Sequence, residues 1–573
     1  MVRKTLLVVA VLVGTITATV APAGAALAAD APADAGPDAN GPESVPATIA
    51  LAGDNASGNG SDAPPDPDED VIGWEKGYWY DESIDVDQSD GLSAAELERF
   101  RARTMARVEK IRDLEFEHDV PIEFVSREEM KEIVRNRNFG KSGRDGIYEA
   151  LFLIGENEDA ETVRATGTGA GVLGFAAEEG SETMVLVTKD PENPMVTPTT
   201  LAHEYVHMLQ HQHFNLSRAR YQRTTHDGEY GKDAVVEGEA TLVHKLYAQR
   251  CQGDWNCVDT PEDWADTERG GNWALGFMGY VPYSDGAVWV NSLYESGGWE
   301  AVTEAHQSPP TSSEEMIHHR EDDRPVELSI EDTARNGWEV RPFDGHRTER
   351  LGEVSIFTMF YYQHRTNGVE AVAGEFDVRN RDDEFDTLNY STDAAEGWGN
   401  DRLLVYENGD ERGYVWKTVW DTEQDATEFY EAYVSLLEAH DPAHPEASTW
   451  VIESGRFADA FRVAQDDKTV TIVNGPTVES LGNIRPGSTD DVDEGTTAVT
   501  TGNATSTGAS DDPTTTASSD ESTSTEAPDD PATTDDEITS IGGDSGSTPG
   551  FGAVAAVLGL IAAVAATMVR RRG

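Results

Sequence analysis

The chain has 573 residues, enough for three or four domains at a typical size of about 150 residues each. It carries 43 Lys and Arg against 107 Asp and Glu, and the net charge of −64 excludes the basic surface that phosphate binding requires. We therefore expect no nucleic-acid partner. Two cysteines exclude a disulfide-stapled scaffold and a multi-cysteine zinc module.

The acidic residues are spread along the whole chain rather than confined to one tail. So large a like charge would strain a compact fold at low salt, whereas molar salt, in which the Debye length is about 3 Å, screens it. This pattern resembles that of haloarchaeal proteins. The alternative is an ordinary domain that carries an acidic tail.

The first 29 residues have the features of an export signal. Arg3 and Lys4 are followed by an apolar run, Leu6–Val20, and by two Ala-x-Ala cleavage sites. Because the apolar run is short, we expect a cleaved signal peptide rather than a membrane anchor. Residues 30–71 are rich in Ala, Asp, Gly and Pro and are predicted to form an acidic, disordered linker.

The predicted folded core begins at residue 72, and its first helix is predicted over Ser93–Glu115 with Ser93 as the N-cap. "PIEFVS" (121–126) predicts a strand, and "GVLGFAA" and "TMVLVT" (171–177 and 183–188) predict a hairpin. The next helix is predicted to begin with Thr197 as its N-cap and Pro198 at its first position.

That helix contains an H-E-x-x-H motif at residues 203–207. Residues four apart lie one above the other on a helix, so His203 and His207 can bind one Zn²⁺ ion. Glu204, beside the metal, can take a proton from water and pass it to a leaving amine. The alternative is a helix with two surface histidines and no metal.

Two residues compete to be the third ligand. Glu237 lies near the start of a second predicted helix (234–246) and begins an E-x-x-A pattern. Here the sequence resembles the gluzincin metallopeptidases, and the resemblance implies that Glu237 is a ligand; some of these families place an Asp after the Ala, where this chain has Thr241. The rival is His213, which has the metzincin spacing, but Gln210 replaces the Gly that allows the metzincin turn.

The resemblance covers most of Ser93–Asn474 and implies an α+β fold. Residues 72–320 are expected to form a zincin-like (gluzincin) core with a small sheet and an active-site helix, and residues 321–474 a mostly helical C-terminal α+β part. By the same resemblance Tyr283 could polarise the scissile carbonyl, although a packed core tyrosine is the favoured interpretation. The remaining polar candidates are interpreted as supporting, helix-surface or loop residues: Glu239, His211, His226 and His244.

Cys251 and Cys257 are six residues apart. In an exported chain they are expected to form a small loop-closing disulfide.

The C-terminal region has three successive segments. Residues 475–548 consist mainly of Thr, Ser, Asp, Glu, Gly and Pro and are predicted to be a disordered stalk. Phe551–Val569 has 19 residues without a charge, enough to span a bilayer, and Arg570–Arg572 favours a cytoplasmic end. With the preceding Pro549 and Gly550, residues 549–573 resemble the PGF-CTERM sorting signal of archaeal surface proteins.

That resemblance implies cleavage by an archaeosortase, attachment to a membrane lipid anchor and an extracellular location. A retained single-pass helix is the alternative. In either case the folded part is expected to lie outside the cell.

The leading functional hypothesis is a cell-surface, zinc-dependent metalloendopeptidase that acts on peptide or protein substrates. In it His203, His207 and Glu237 bind Zn²⁺, and Glu204 is catalytic. The alternative is a non-catalytic envelope or adhesion protein that keeps a zincin-like fold. Metal binding without hydrolysis lies between the two.

Overall fold

The computed structural model describes residues 65–130, 144–160, 162–163, 174–176, 183–260, 272–319, 324–343, 345–369, 378, 385 and 387–486. The predicted signal peptide, most of the linker, the stalk beyond residue 486 and the C-terminal span lie outside the described residues. Within the described part, no helix has both the length and the apolar character needed to cross a membrane.

Helices and strands alternate irregularly along the described residues, as expected for an α+β fold. The helices are α1 (Ala94–Arg112), α2 (Asp145–Ala150), α3 (Pro198–Phe214), α4 (His226–Cys251), α5 (Trp273–Met278), α6 (Asp285–Ala305), α7 (Ser313–Ile317), α8 (Gly352–Asn367), α9 (Glu423–Glu438) and α10 (Val478–Ile484). The strands are β1 (Trp74–Glu75), β2 (Tyr78–Trp79), β3 (Ile122–Val125), β4 (Gly174–Ala176), β5 (Met184–Val187), β6 (Glu339–Val340), β7 (Trp398–Asn408), β8 (Glu411–Trp420), β9 (Thr449–Val451), β10 (Ala460–Asp466) and β11 (Thr469–Gly475).

The elements predicted before the H-E-x-x-H helix are confirmed. Helix α1 is capped by Ser93, whose hydroxyl accepts from the Glu96 amide, and it ends at Asp113, which has a left-handed conformation (φ 62°). The predicted hairpin is the antiparallel pair β4–β5. Strand β3 pairs with β5 in parallel, so the small sheet has the order β3-β5-β4.

Helices α1, α3 and α4 pack with the small sheet around one apolar core. Phe100 of α1, Leu186 of β5, Leu201 of α3 and Val243 of α4 are all buried in it. This packing sets the register between α3 and α4, the two helices that carry the predicted ligands.

Helix α4 is longer than the predicted segment 234–246. It begins at His226, where the Thr225 hydroxyl accepts from the Gly228 amide. Its first two turns carry polar residues, such as Glu229 and Lys232, which form an ion pair at 2.7 Å. Because these turns have no apolar periodicity, pattern reading missed them.

The C-terminal part is built on a six-stranded antiparallel sheet with the order β6-β7-β8-β11-β10-β9. The prediction of a mostly helical C-terminal part is therefore wrong. Strand β7 is buried on both faces: Leu403 lies in the core beneath α8 and α9, whereas Leu404 lies in the core beside α10. The central residues of β7, Leu403–Tyr406, form a short continuous apolar run, which periodicity does not distinguish from helix.

The folded part also extends beyond the predicted start of the stalk at residue 475, so that boundary is wrong. Helix α10 follows β11, and Thr477 caps it through a capping box with Ser480. Leu481 and Ile484 are buried against the outer face of the sheet. Leu481 and Ile484, one turn apart, thus hold α10 against the sheet, although the composition of this segment already resembles that of the stalk.

The expected disulfide between Cys251 and Cys257 is present. It joins the end of α4 to the loop that follows the helix.

Candidate metal centre

Helix α3 holds the H-E-x-x-H motif in a well-defined helical frame. The Thr197 hydroxyl accepts from the Thr200 amide, Pro198 occupies the first turn, and the helix continues to Phe214. His203 and His207 therefore lie one turn apart on the same face, with exposures of 4% and 3%.

Helix α4 packs against α3 and brings Glu237 to both histidines. The Glu237 Oε2 atom is 3.4 Å from His203 Nε2 and 3.3 Å from His207 Nε2, and the two Nε2 atoms are 3.2 Å apart. A tetrahedral zinc ion with bonds of about 2.0–2.1 Å separates its ligand atoms by about 3.3 Å. The three atoms thus have the spacing of a zinc ligand set.

The charges of the three groups also suit a cation. Burial raises the pKa of Glu237, but the imidazoles of His207 and His203 outweigh it and hold that pKa below its ordinary value. Burial likewise lowers the pKa of His207, yet the Glu237 carboxylate raises it to about 9. The site therefore favours a positive charge between these groups, which a divalent ion would supply.

Glu204 lies beside this group but is not part of it. It is 1% exposed, and neither of its carboxylate oxygens has a hydrogen-bond partner among the described residues. Burial raises its pKa, while the charges of His203 and His207 lower it. A buried carboxylate without donors is costly to a fold, so this residue is a candidate for chemistry rather than for stability.

His213, the rival third ligand, does not join the group. Helix α3 runs on past it without the turn that the metzincin arrangement needs. The His213 Nε2 atom is 2.6 Å from the Glu115 carbonyl oxygen, so the imidazole donates away from His203 and His207.

Tyr283, for which the sequence favours a packed core position, is buried but lies at the site, beside His203. It is 3% exposed, and its ring packs nearly parallel to that of His203, with a centroid distance of 6.0 Å and an angle of 21°. The Tyr283 ring also stacks on that of Tyr280, with a centroid distance of 5.8 Å. Burial and the nearby Glu237 carboxylate raise the pKa of Tyr283 well above its ordinary value, so the phenol stays protonated and can donate.

Glu239 is not a surface carboxylate but the centre of a buried polar network. It accepts from Arg112 of α1, from His306 Nε2 at 2.7 Å and from Gln210 Nε2 at 2.6 Å. Sequence reasoning missed His306 and treated Gln210 only as a departure from the metzincin pattern. The available signal was that Gln210 follows His207 by three residues and so shares its helix face.

His226 and His244 are not part of the group formed by His203, His207 and Glu237. His226 pairs with Glu349 at 3.0 Å, and the ring of His244 meets that of His203 edge-on at 6.3 Å. Thr241 is 2% exposed, and its hydroxyl has no hydrogen-bond partner among the described residues. It therefore does not replace the Asp that supports a ligand histidine in some gluzincins.

Two family models match parts of the chain. One, described as "Domain of unknown function (DUF8575)", matches residues 340–485, which span most of the six-stranded sheet with α8–α10 and exclude the candidate ligands His203, His207 and Glu237. The other, the PGF-CTERM motif, matches residues 548–571. No curated protein and no solved structure shows significant similarity to the chain.

The PGF-CTERM match confirms the sorting signal predicted at residues 549–573. The chain is thus an extracellular surface protein that is anchored at its C-terminus. More particularly, it is a surface protein of the haloarchaeal type, processed by an archaeosortase.

Proposed function

We propose that this surface protein is a zinc metallopeptidase whose N-terminal part has a zincin-like, gluzincin arrangement. The observation that carries the proposal is the triangle of His203 Nε2, His207 Nε2 and Glu237 Oε2, with edges of 3.2–3.4 Å. The orphaned carboxylate of Glu204 beside it is the second support.

The number of ligands supports catalysis over a structural metal. Structural zinc sites use four protein ligands, whereas catalytic sites use three and keep one position open. Among the described residues, the group with ligand atoms in mutual reach contains His203, His207 and Glu237. Zinc, when bound there, supplies Lewis-acid polarisation of a carbonyl and acidifies water.

Glu204 would then move the proton. One of its carboxylate oxygens accepts a proton from the attacking water and passes it to the nitrogen of the leaving amine. The raised pKa of Glu204 suits this role because the carboxyl group must hold the proton between the two transfers.

The neighbouring elements supply candidates for substrate binding. The Tyr283 phenol, packed on His203, is suited to donate a hydrogen bond to the carbonyl oxygen of the scissile bond. Strand β4 is at the edge of the β3-β5-β4 sheet, where an extended peptide can pair with its backbone. The extracellular location is consistent with peptide or protein substrates outside the cell.

The second candidate function is zinc binding without hydrolysis in an envelope protein. Two observations favour it: the candidate ligands are almost completely buried, and Thr241 stands where some gluzincin families have a supporting Asp. The two candidates differ in what the Glu204 carboxylate contributes.

The test compares zinc content and proteolysis in the full-length protein purified in molar KCl. We expect about one zinc per chain, and we expect Glu204→Gln to keep the zinc while cleavage of an unfolded protein substrate falls by about 10²- to 10⁴-fold. Glu237→Gln should lose zinc, whereas His213→Gln should retain it and serves as the matched control. Zinc without any cleavage that depends on Glu204 would favour the second candidate, and a metal-free wild-type protein would refute both.

A further inference from the structure

Gln210 joins the candidate metal centre to the buried network around Glu239. It lies on α3, three residues after His207, and is 1% exposed. Its Oε1 atom is 3.0 Å from His207 Nδ1, on the side of the ring opposite Glu237. Gln210 therefore contacts the one ring nitrogen of His207 that does not face the other two ligands.

The orientation of the Gln210 amide is fixed by its other partners. The Nε2 atom is 2.9 Å from the Val236 carbonyl oxygen, which can only accept a hydrogen bond. It is also 2.6 Å from Glu239 Oε2. An amide turned over by 180° would direct its oxygen at the Val236 carbonyl, so the oxygen must face His207.

The orientation of the amide in turn determines the tautomer of His207. A histidine that binds a cation is neutral, and because Oε1 can only accept, the hydrogen of that neutral imidazole must lie on Nδ1. The lone pair then lies on Nε2, the atom that is 3.3 Å from Glu237 Oε2. We propose that Gln210 is a positioning residue that selects this tautomer and ring orientation of His207 for binding a divalent cation. This inference rests on the zinc site of the proposed function.

The far end of Gln210 is anchored by elements outside α3. Glu239 is held by Arg112 and by His306, and His306 Nδ1 lies 2.9 Å from the Tyr221 hydroxyl. The His306 ring also stacks on Phe214 at 4.1 Å. The network thus prevents the Gln210 amide from rotating. A hydrogen bond from Gln210 to solvent would leave the amide free to rotate.

The two ligand histidines are held by different means. The described residues give His203 Nδ1 no hydrogen-bond partner, and the ring of His203 is instead packed against Tyr283. A metal-binding histidine ordinarily donates its second ring N–H to a fixed acceptor. Gln210 takes that role for His207, where Thr241 provides no acidic acceptor.

The experiment measures zinc affinity of the full-length protein by competition with a chromophoric chelator in molar KCl. Gln210→Met keeps the approximate volume but removes the acceptor, and we expect zinc to bind about 10- to 100-fold more weakly, the usual effect of losing such a partner. Gln212→Met is the matched control: Gln212 is on the same helix but bonds to the backbone of Glu117 and His118. Its affinity should equal that of the wild type.

A spectroscopic readout separates positioning from general stability. In zinc-loaded wild-type protein labelled with ¹⁵N-histidine, His207 should show a slowly exchanging Nδ1–H resonance, with the metal on Nε2. That resonance should persist in Gln212→Met and exchange rapidly in Gln210→Met. Because the first observation needs only the wild type, it stands even if the Gln210 variant does not fold.

The possible outcomes are distinct. Unchanged zinc affinity in Gln210→Met, or metal on Nδ1 of His207 in the wild type, overturns this inference and leaves the proposed function standing. Weaker zinc binding in a protein without proteolysis supports the inference and refutes the proposed function. A wild-type protein that binds no zinc overturns both.

Discussion

Helices α4 and α6 approach each other closely at two glycines, and this contact allows a quantitative test. A Cβ atom added to Gly238 would lie 2.4 Å from the Gly286 carbonyl oxygen and 2.8 Å from its carbonyl carbon. Contacts of Cβ below 3.0 Å are essentially never seen, so Gly238→Ala must separate the two backbones by at least about 0.6 Å. These two atoms belong to the backbone and cannot rotate away, whereas a third close atom, Val290 Cγ2 at 2.8 Å, belongs to a side chain.

Two opposing terms set the size of the effect. Replacing Gly with Ala inside a helix stabilises by about 1 kcal/mol, whereas overpacking a well-packed contact costs about 1–3 kcal/mol. Because backbone meets backbone, we take the upper end and expect Gly238→Ala to lower the free energy of unfolding by about 2 kcal/mol. Glu237 is the adjacent residue, so the same displacement should also weaken the zinc binding that we propose for it.

The assay is urea unfolding at constant KCl, with Gly276→Ala as the control. Gly276 lies in α5, is exposed, and has nothing within 4 Å of an added Cβ. There only the helix-propensity term applies, and we expect stabilisation by up to about 1 kcal/mol. A Gly238→Ala protein as stable as the wild type, or more stable, would refute the close-contact reasoning.

Three further predictions concern other parts of the fold. Burial raises the pKa of Glu75 to about 7 and that of Glu109 to about 9. The folded state therefore binds more protons than the unfolded state, so the free energy of unfolding should fall as the pH rises from about 5 to about 9. Chemical denaturation across this range checks it, and Glu75→Gln should flatten the slope; stability that rises with pH would contradict it. Replacing both Cys251 and Cys257 with Ser should cost about 2 kcal/mol from the entropy of the small loop, measured by the same denaturation, and an unchanged midpoint would count against it. Leu481→Ala should lower the free energy of unfolding by about 2–5 kcal/mol, because α10 is part of the folded core. A decrease below about 0.5 kcal/mol would indicate that α10 belongs to the stalk rather than to the core.

Local signals explain why the N-terminal elements could be predicted. Ser93 and Thr197 are caps that act within one helical turn, and the spacing of His203 and His207 fixes their shared face. Such features depend on neighbouring residues in the sequence. The sequence therefore identified the helix of the candidate site and the residues on it.

Features that depend on packing between elements were not predictable in the same way. The hydrogen bond of Gln210 to the Val236 carbonyl requires the register of α3 against α4, which sequence spacing does not define. The hairpin of β7 and β8 did carry a signal, the two-residue loop Gly409-Asp410 between the paired residues Asn408 and Glu411, and Gly409 has the positive φ that its place in this turn requires (69°). The double-sided burial of both strands concealed it.

The edge strands of the six-stranded sheet affect how a protein displayed on a cell surface can associate with its neighbours. Its outermost strands, Glu339–Val340 and Thr449–Val451, contain only two and three residues. Long, flat edge strands can pair with strands of neighbouring molecules, whereas very short edge strands offer too few free backbone groups for such pairing. Many copies tethered to one membrane can thus crowd together without fusing into fibrils through this sheet.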